Sequence, residues 1–290
     1  MSRIAYVNGR YLPHREACVH VEDRGYQFAD AVYEVCEVFD GKIVDMTRHL
    51  DRLGRSLSEL SIVWPVSRAA LERILREVVA RNRVTNGLVY LQVSRGVAKR
   101  DFTFPAPGTK SSLVVTSRSI QRDVSMKVTE DGIRVTTTPD IRWQRVDIKT
   151  TGLLAQVLAK EGAKRAGAKE AWMFDKEGYV TEGGSSNAWI VTADGTLVTR
   201  PAESGILKGI TRAAILDFAG REGIKVDERP FTVEEAKGAR EAFVTSATGI
   251  VSPVVQIDDA VLGNGRPGSI ASDLRRRFHE GVELLPVRAY

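Results

Sequence analysis

The chain has 290 residues, of which 43% are hydrophobic and 27% are charged, and its formal net charge is +5. Both signs of charge are mixed along a chain apolar enough for a sizeable core, which argues against wholesale disorder. The small basic excess is not interleaved with aromatic residues, and no apolar run reaches about 18 residues, so we expect neither a nucleic-acid surface nor a membrane span. The two cysteines, Cys18 and Cys36, suit neither a disulfide framework nor a metal site. We therefore expect no bound metal. The N-terminus has no apolar leader, so we expect a cytoplasmic protein.

The N-terminal half predicts two β-hairpins followed by two helices. The hairpins span residues 4–13 and 32–44, with turns at Asn8-Gly9 and Asp40-Gly41. Alternation in the second hairpin places Tyr33 on one face and Glu34 and Cys36 on the other. The remaining predicted features are a helix capped by Thr47, a helix from its cap Ser67 to about Arg81, strands at 88–95 and 113–118, and an exposed loop at 96–110.

The C-terminal half interleaves strands and helices again. Residues 119–125 are polar and aperiodic, and we predict them to be a linker between two domains, 1–118 and 126–290. Further helices are predicted at 151–167, 210–221, 233–238 and 269–281, and strands at 126–138 (a pair), 171–174, from 178 onward, 188–192 and 241–245. The predicted fold class is therefore α+β or α/β.

Two segments in this half carry charged residues at unusual places. Lys149 lies at a junction between a strand and a helix, where a lysine taken alone is a surface residue. About thirty residues later, Glu182 precedes a run of small and hydroxyl residues at 183–187, which is typical of a tight turn. Such a turn is either a plain loop or a lining for a ligand.

Two more segments suit an anion. Gly209 opens an amphipathic helix whose first N–H groups, those of Ile210 and Thr211, point out of the helix N-terminus and favour a phosphate. Residues 243–249 run from a strand into hydroxyls and glycine, with Ser246 and Thr248 as candidate donors. Each segment alone is also explained by a capped helix or a polar turn.

In order and spacing, these segments resemble the fold-type IV pyridoxal-phosphate enzymes, and most closely the D-amino-acid aminotransferases. The resemblance covers nearly the whole chain and rests on residues 23–28, 32–35, 48–53, 140–143, 147–149, 181–183 and 206–212. It implies a two-domain fold with a small N-terminal α/β domain and a larger C-terminal domain with a β-barrel-like core. It also implies pyridoxal 5'-phosphate as the cofactor.

The resemblance implies roles for individual residues. Lys149 corresponds to the lysine that joins the cofactor as a Schiff base and later moves the substrate Cα proton, two tasks that suit an amine. Glu182, supported by Arg142, faces the pyridine nitrogen, where a carboxylate keeps the ring protonated. The other implied cofactor contacts are the phosphate contacts of Arg52, Ile210, Thr211, Ser246 and Thr248, and the packing of Leu207 under the ring.

The substrate contacts implied by the resemblance are Tyr33 and Arg100, and Phe102 is the third candidate substrate-binding residue. In D-specific enzymes a tyrosine, an arginine and a histidine bind the substrate carboxylate, and the last two come from the partner subunit, so a homodimer is expected. Phe102 stands where those enzymes have the histidine. The implied reaction is a ping-pong transfer of the amino group of a D-alanine-like amino acid to 2-oxoglutarate or pyruvate.

Four other functions stay open. The aromatic residue at position 102 favours, as one alternative, an (R)-selective amine transaminase. Branched-chain aminotransferases, which have the same fold, are another. Tyr33 together with Arg100 argues against a branched-chain enzyme. A lyase of the aminodeoxychorismate type would use the same lysine, and a non-catalytic binding protein would have kept the fold without the chemistry.

Overall fold

The computed structural model describes residues 3–121, 127, 130–203 and 205–287. Residue contacts divide the chain into two compact units. The first comprises Met1–Gln121, Ile148–Gly152 and Glu283–Tyr290, and the second comprises Arg122–Asp147 and Leu153–Val282. Most of the predicted linker, residues 122–125, lies outside the described residues, so the predicted domain boundary stays a prediction.

The strands within the described residues are short, with nine residues at most. They are β1 (Ile4–Val7), β2 (Arg10–Pro13), β3 (Ala31–Phe39), β4 (Lys42–Val44), β5 (Gly87–Ser94), β6 (Ser112–Ser119), β7 (Ile133–Pro139), β8 (Glu170–Phe174), β9 (Val180–Gly183), β10 (Asn187–Val191), β11 (Leu197–Thr199), β12 (Val226–Glu228), β13 (Glu241–Ser246), β14 (Ile250–Ile257), β15 (Ala260–Val261) and β16 (Leu284–Pro286).

The α-helices with described bounds follow the predicted order, apart from the short α1, which was not predicted. They are α1 (Arg24–Phe28), α2 (Met46–Glu59), α3 (Arg68–Arg81), α4 (Leu154–Arg165), α5 (Ile210–Glu222), α6 (Val233–Lys237) and α7 (Ser269–Arg277). Residues 130 and 131 are also helical, so in the described residues the predicted strand pair at 126–138 is replaced by the single strand β7. Helix α4 is shorter than the predicted span 151–167, because its N-cap is Leu153. In the described parts of the chain, no helix is long and apolar enough to cross a membrane.

The first unit is built on a seven-stranded sheet with the order β16-β4-β3-β5-β6-β1-β2. Both predicted hairpins are confirmed. Asn8 and Gly9 have φ values of 45° and 94°, the positive angles that a two-residue turn of this kind requires. The predicted alternation along β3 is also confirmed, with Glu34 and Cys36 buried and Tyr33 on the opposite face. The apolar faces of α2 and α3 share one core with this sheet.

The predicted cap of α2 is wrong. The helix begins at Met46 with Asp45 as its N-cap, and Thr47 lies inside the first turn. The backbone N–H of Thr47 donates to Glu283 Oε2 at 2.9 Å, and its hydroxyl donates to Oε1 at 2.7 Å. A carboxylate 236 positions away therefore satisfies this helix end, in place of a neighbouring side chain.

The second unit is built on a nine-stranded sheet with the order β12-β11-β10-β13-β14-β7-β8-β9, and β15 pairs with β14. Strand β10 is buried along its whole length. It pairs antiparallel with β13, which places Asn187 opposite Thr245. The fully buried Trp172, Phe231, Trp189 and Phe243 fill the interior of this unit. Helix α5 ends at Glu222, one residue beyond the predicted span, and its C-cap Gly223 has φ 66°.

Candidate active site

Lys149 belongs to the short segment Ile148–Gly152, which the first unit holds through its backbone. Its carbonyl oxygen accepts a hydrogen bond from the Tyr33 N–H at 3.0 Å. Its own N–H donates to the hydroxyl of the buried Ser56 at 3.5 Å. Its Nζ lies 4.2 Å from the centroid of the Tyr33 ring. The structure therefore brings together the predicted catalytic lysine and the predicted substrate tyrosine, and fixes the lysine backbone on two sides.

Tyr33 continues into a polar face of the sheet. Its ring centroid lies 5.7 Å from that of Tyr90 on the neighbouring strand β5. The Tyr90 hydroxyl donates to Gln92 Oε1 at 2.7 Å. Burial, with a smaller contribution from Tyr33, raises the pKa of Tyr90 to about 12. The Tyr90 hydroxyl therefore stays a neutral hydrogen-bond donor in the ordinary pH range.

Arg52 is held by a carboxylate that the sequence did not single out. Its Nε and Nη2 donate to the two oxygens of Glu34, at 2.7 and 2.8 Å. His49 Nδ1 lies 2.7 Å from Glu34 Oε2. Glu34 is completely buried, so it orients both neighbours within the first unit. The guanidinium of Arg52, which was predicted to contact the phosphate, is directed at Glu34 through Nε and Nη2. A phosphate contact of Arg52 stays a prediction, and it would have to use the other N–H groups of the guanidinium.

The Glu34 cluster predicts a pH-dependent stability. Burial raises the pKa of Glu34, but the charge and hydrogen bonds of Arg52, and then those of His49, outweigh this and lower it from 4.5 to about 2. A depressed carboxyl pKa stabilises the fold fully above pH 4.5, and this stability is lost as the pH falls towards 2. We expect Glu34→Gln to lower the free energy of unfolding by about 3 kcal/mol at pH 7.

Denaturant unfolding at pH 7 and at pH 3 measures this effect. The gap between the wild type and Glu34→Gln should narrow at pH 3, because the wild type then loses part of the same contribution. Glu37→Gln is the matched control, since it changes a carboxylate on the opposite face of β3. An equal gap at both pH values would contradict the assigned role of Glu34.

Glu182 is the centre of a second cluster, in the second unit. One of its oxygens pairs with Arg142 Nη1, the other accepts from Asn187 Nδ2 at 3.0 Å, and the Leu207 N–H lies 3.3 Å from both. Glu182 is 5% exposed. Arg142 therefore contacts Glu182 directly, in the arrangement that the resemblance implies.

Asp140 fixes Arg142 from the other side. Its carboxylate accepts from Arg142 Nε at 2.9 Å and Nη2 at 2.6 Å, and from the Thr181 hydroxyl at 2.7 Å. Burial raises the pKa of Asp140, but the hydrogen bonds and charge of Arg142 lower it below its ordinary value. Two carboxylates thus share one arginine, and the more distant carboxylate positions Arg142 towards Glu182. The sequence contained Asp140 in a family motif but assigned it no role.

Asn187 is a further contact of Glu182 that no sequence pattern indicated. Its amide nitrogen donates to Glu182 and, at 2.9 Å, to the carbonyl oxygen of Leu207. A Cβ added at Gly209 would lie 2.0 Å from Asn187 Oδ1, so only glycine allows this approach. Asn187 thereby joins the strand that carries Glu182 to the segment that opens α5.

Helix α5 begins at Ile210 after Gly209, whose backbone is extended and offers no side-chain cap. An N-cap without a side-chain hydrogen bond is the arrangement that lets the first N–H groups of a helix, here those of Ile210 and Thr211, face an anion. The strand register brings a second predicted element to the same sheet edge: β13 ends at Ser246, one residue beyond the Thr245–Asn187 pair.

The hydroxyls of the 183–187 turn bind a carboxylate of the chain itself. Ser185 and Ser186 donate to Glu170 Oε2, at 3.1 and 3.0 Å, and Lys160 pairs with the other oxygen of this buried carboxylate at 3.0 Å. These hydroxyls bind Glu170, and a ligand contact for them stays a prediction. They tie the turn to β8 and so fix the position of Glu182.

The turn after β13 is ordered by other contacts. Ser246 Oγ accepts from the Gly249 N–H at 3.0 Å, and Arg275 on α7 donates to the carbonyl oxygens of Gly249 and Val251. Thr248 is exposed. The phosphate contacts of Ser246 and Thr248 stay predictions.

Arg100 and Phe102 lie on the exposed loop after β5. The guanidinium carbon of Arg100 lies 5.2 Å from the centroid of Phe28 and 5.6 Å from that of Phe102. Phe102 is 82% exposed. The structure thus places the predicted carboxylate-binding arginine beside two aromatic rings.

The groups that the chain offers fit pyridoxal phosphate one by one. Lys149 supplies an amine for an aldehyde, and Glu182 supplies a buried carboxylate, fixed by Arg142 and Asn187, for a basic ring nitrogen. The uncapped start of α5 supplies N–H donors for a phosphate. Gly209 keeps that helix start free of a side chain where Asn187 approaches it.

Comparisons with known proteins agree with this chemistry. Residues 31–257 match the family model described as amino-transferase class IV. The chain is 39% identical to the D-alanine aminotransferase of Staphylococcus haemolyticus over 278 residues, which cover 96% of this chain and 97% of that protein. It is 38% identical to the D-alanine aminotransferase of Listeria innocua over 281 residues, 95% of each chain. The crystal structure of the T.th. branched-chain amino acid aminotransferase with pyridoxamine 5'-phosphate is 27% identical, with a TM-score of 0.89 over 97% of this chain and 94% of that one.

Proposed function

The chain belongs to the class IV aminotransferases, pyridoxal-phosphate enzymes of fold-type IV, and on that premise we propose that it moves the amino group of a D-amino acid such as D-alanine to a 2-oxo acid. One observation carries the choice of substrate. The identity to D-alanine aminotransferases is 39% over almost the whole chain, compared with 27% to the T.th. branched-chain enzyme. Pyruvate and 2-oxoglutarate are the proposed acceptors.

When bound, pyridoxal phosphate supplies the carbonyl that receives the amino group and the ring that accepts electrons from the substrate Cα. Lys149 Nζ would hold the cofactor, and in the proposed mechanism the same amine removes the proton from the substrate Cα. The same amine returns a proton when the second substrate, a 2-oxo acid, takes up the amino group. The backbone contacts of Lys149 with Tyr33 and Ser56 keep its Cα fixed while Nζ moves.

The polar clusters have supporting roles in this proposal. Glu182 holds a proton at the ring nitrogen, and its own position is set by Arg142, Asn187 and the Leu207 N–H. The N–H groups of Ile210 and Thr211 bind the phosphate, helped by Ser246, Thr248 and the Arg52 guanidinium. Leu207 packs under the ring. Tyr33 and Arg100 bind the substrate carboxylate and so select the D-enantiomer.

We also propose that the active protein is a homodimer, so that Arg100 acts in the site of the partner subunit. Large apolar side chains are exposed in each unit: Val63 and Phe104 in the first, and Leu154, Val157 and Leu158 in the second. Neighbouring exposed apolar side chains, such as the three on α4, are typical of a contact surface. Light scattering at micromolar concentration tests the dimer. The two free cysteines support a proposed location in the reducing cytoplasm.

An amino-donor screen tests the proposed substrate. With pyruvate or 2-oxoglutarate as the acceptor, we expect kcat/KM for D-amino acids to exceed the value for L-amino acids by at least about a hundredfold, since one misplaced carboxylate costs a charge-assisted pair. Faster turnover of an (R)-arylalkylamine than of D-alanine would favour the amine transaminase that Phe102 suggests. Preference for L-leucine would favour a branched-chain enzyme, and pyruvate release without an acceptor would favour a lyase.

A further inference from the structure

The loop that carries Arg100 and Phe102 is tied to the interior of the first unit through Asp30. The carboxylate of Asp30 accepts from Arg95 Nε and Nη2, at 2.7 and 2.9 Å, and from Arg24 Nε at 2.8 Å. Both arginines are buried, at 7% and 3% exposure. One carboxylate therefore holds two guanidinium groups, and Arg95 is itself the first residue of the loop.

Arg24 extends this anchor to the middle of the loop. Its Nη1 donates to the carbonyl oxygen of Asp101 at 2.7 Å, between the two residues of interest. The backbone N–H of Arg24 donates to the Gly96 carbonyl oxygen at 2.9 Å. The family motif at 23–28, which had no assigned role, thus fixes the backbone on both sides of Arg100.

The backbone anchor leaves the long Arg100 side chain to be oriented by its neighbours. Phe28, at the end of α1, and Phe102 are packed at 5.7 Å with an interplanar angle of 57°. The Arg100 guanidinium lies against both rings. Arg24 lies 4.7 Å from the Phe28 centroid and so fixes the first ring. A guanidinium is attracted to an aromatic face, and two tilted rings restrict its rotamers from two sides.

We propose that Phe102 is a positioning residue for Arg100: together with Phe28 it forms an aromatic clamp that presents the guanidinium to the α-carboxylate of the amino donor. Phe102 has no hydrogen-bonding group of its own, so it acts through Arg100 and not on the substrate. The inference rests on the proposed function of Arg100 as the carboxylate-binding residue. It makes Phe102 a determinant of the preference for donors that carry a carboxylate.

Steady-state kinetics of the holoenzyme tests the clamp with two donors, D-alanine and (R)-1-phenylethylamine, the second of which has no carboxylate. Phe102→Leu removes the ring, and we expect KM for D-alanine to rise about two- to fivefold while kcat changes little. KM for the amine should stay within about twofold, because the amine makes no demand on Arg100. Phe102→Tyr keeps the ring and should restore a KM for D-alanine close to that of the wild type. Tyr26→Leu is the matched control, since it removes the ring of a residue on α1 that is 76% exposed and leaves the clamp intact.

A second measurement follows the Arg100 side chain without turnover. The rate at which phenylglyoxal modifies Arg100, read by peptide mass spectrometry, should rise in Phe102→Leu and stay unchanged in Phe102→Tyr and Tyr26→Leu. An unchanged rate and an unchanged KM for D-alanine in Phe102→Leu would overturn the clamp. So would an equal rise of KM for both donors, which indicates a general loosening of the loop.

Arg100→Ala separates this inference from the proposed function. It should raise KM for D-alanine by far more than Phe102→Leu does, with little effect on the amine. If Arg100→Ala raises KM for D-alanine and Phe102→Leu leaves it unchanged, the clamp is wrong and the role of Arg100 stands. If Arg100→Ala affects both donors equally, the role of Arg100 is wrong, and the clamp fails with it.

Discussion

Replacing Lys149 with alanine is expected to abolish amino-group transfer, with kcat at least about a thousandfold below the wild type. The variant lacks both the amine that joins the cofactor and the base that moves the Cα proton, and loss of a general base alone costs about 10²- to 10⁴-fold. The clusters around Glu182 and the start of α5 do not depend on this side chain. We therefore expect Lys149→Ala to bind the cofactor without a covalent bond, so that denaturation releases all of it.

Single-turnover rates and the cofactor content of dialysed protein measure these two effects. Lys164→Ala is the matched control, because Lys164 is an exposed lysine on α4. Turnover of Lys149→Ala within about tenfold of the wild type would refute the central role of Lys149. Loss of cofactor together with loss of activity would refute only the expectation that the other contacts hold the cofactor.

The second large effect is expected for Glu182→Gln, with kcat reduced about 10²- to 10³-fold. A neutral amide at this position does not hold a proton at the ring nitrogen, and a charge-assisted contact contributes strongly in a buried site. The amide also turns an NH₂ group towards donors that now face the carboxylate, among them Arg142 and Asn187. Some loss of stability is expected for this reason.

Asp140→Asn distinguishes the two consequences. It disturbs the Arg142 cluster by a similar change but leaves the carboxylate of Glu182 in place. We expect its Tm to fall about as far as that of Glu182→Gln, while kcat falls much less. Equal losses of kcat in the two variants would show that Glu182 serves only to hold Arg142.

Features whose determinants lie close together along the chain were predicted correctly. The hairpin turns at Asn8-Gly9 and Asp40-Gly41 and the Ser67 cap of α3 were correct, because the determinants lie within a few residues. Strands β11, β12 and β16 have three residues each and show no periodicity, and β14 contains Pro253, which is atypical of an inner strand. These four strands were missed for that reason.

The candidate site shows the same division. Lys149, Glu182 and the helix that follows Gly209 were recognisable from residue type and spacing. The family resemblance was recognisable from the same features. Their partners were not, since Asp140 acts on Glu182 across 42 positions through Arg142, and Glu34 acts on Arg52 across 18. Nothing in the sequence indicated that the Arg52 fork faces a buried carboxylate, because that pairing depends on the register of α2 against β3.

The five residues Ile148–Gly152 have a consequence for genetics. They belong to the first unit although the chain on either side of them belongs to the second. A gene cut between the two units would leave Lys149 on a fragment without Tyr33 and Ser56, the residues that hold its backbone. Neither fragment alone would then contain both Lys149 and the residues that hold its backbone. We therefore expect the two units to be inherited together as one evolutionary unit.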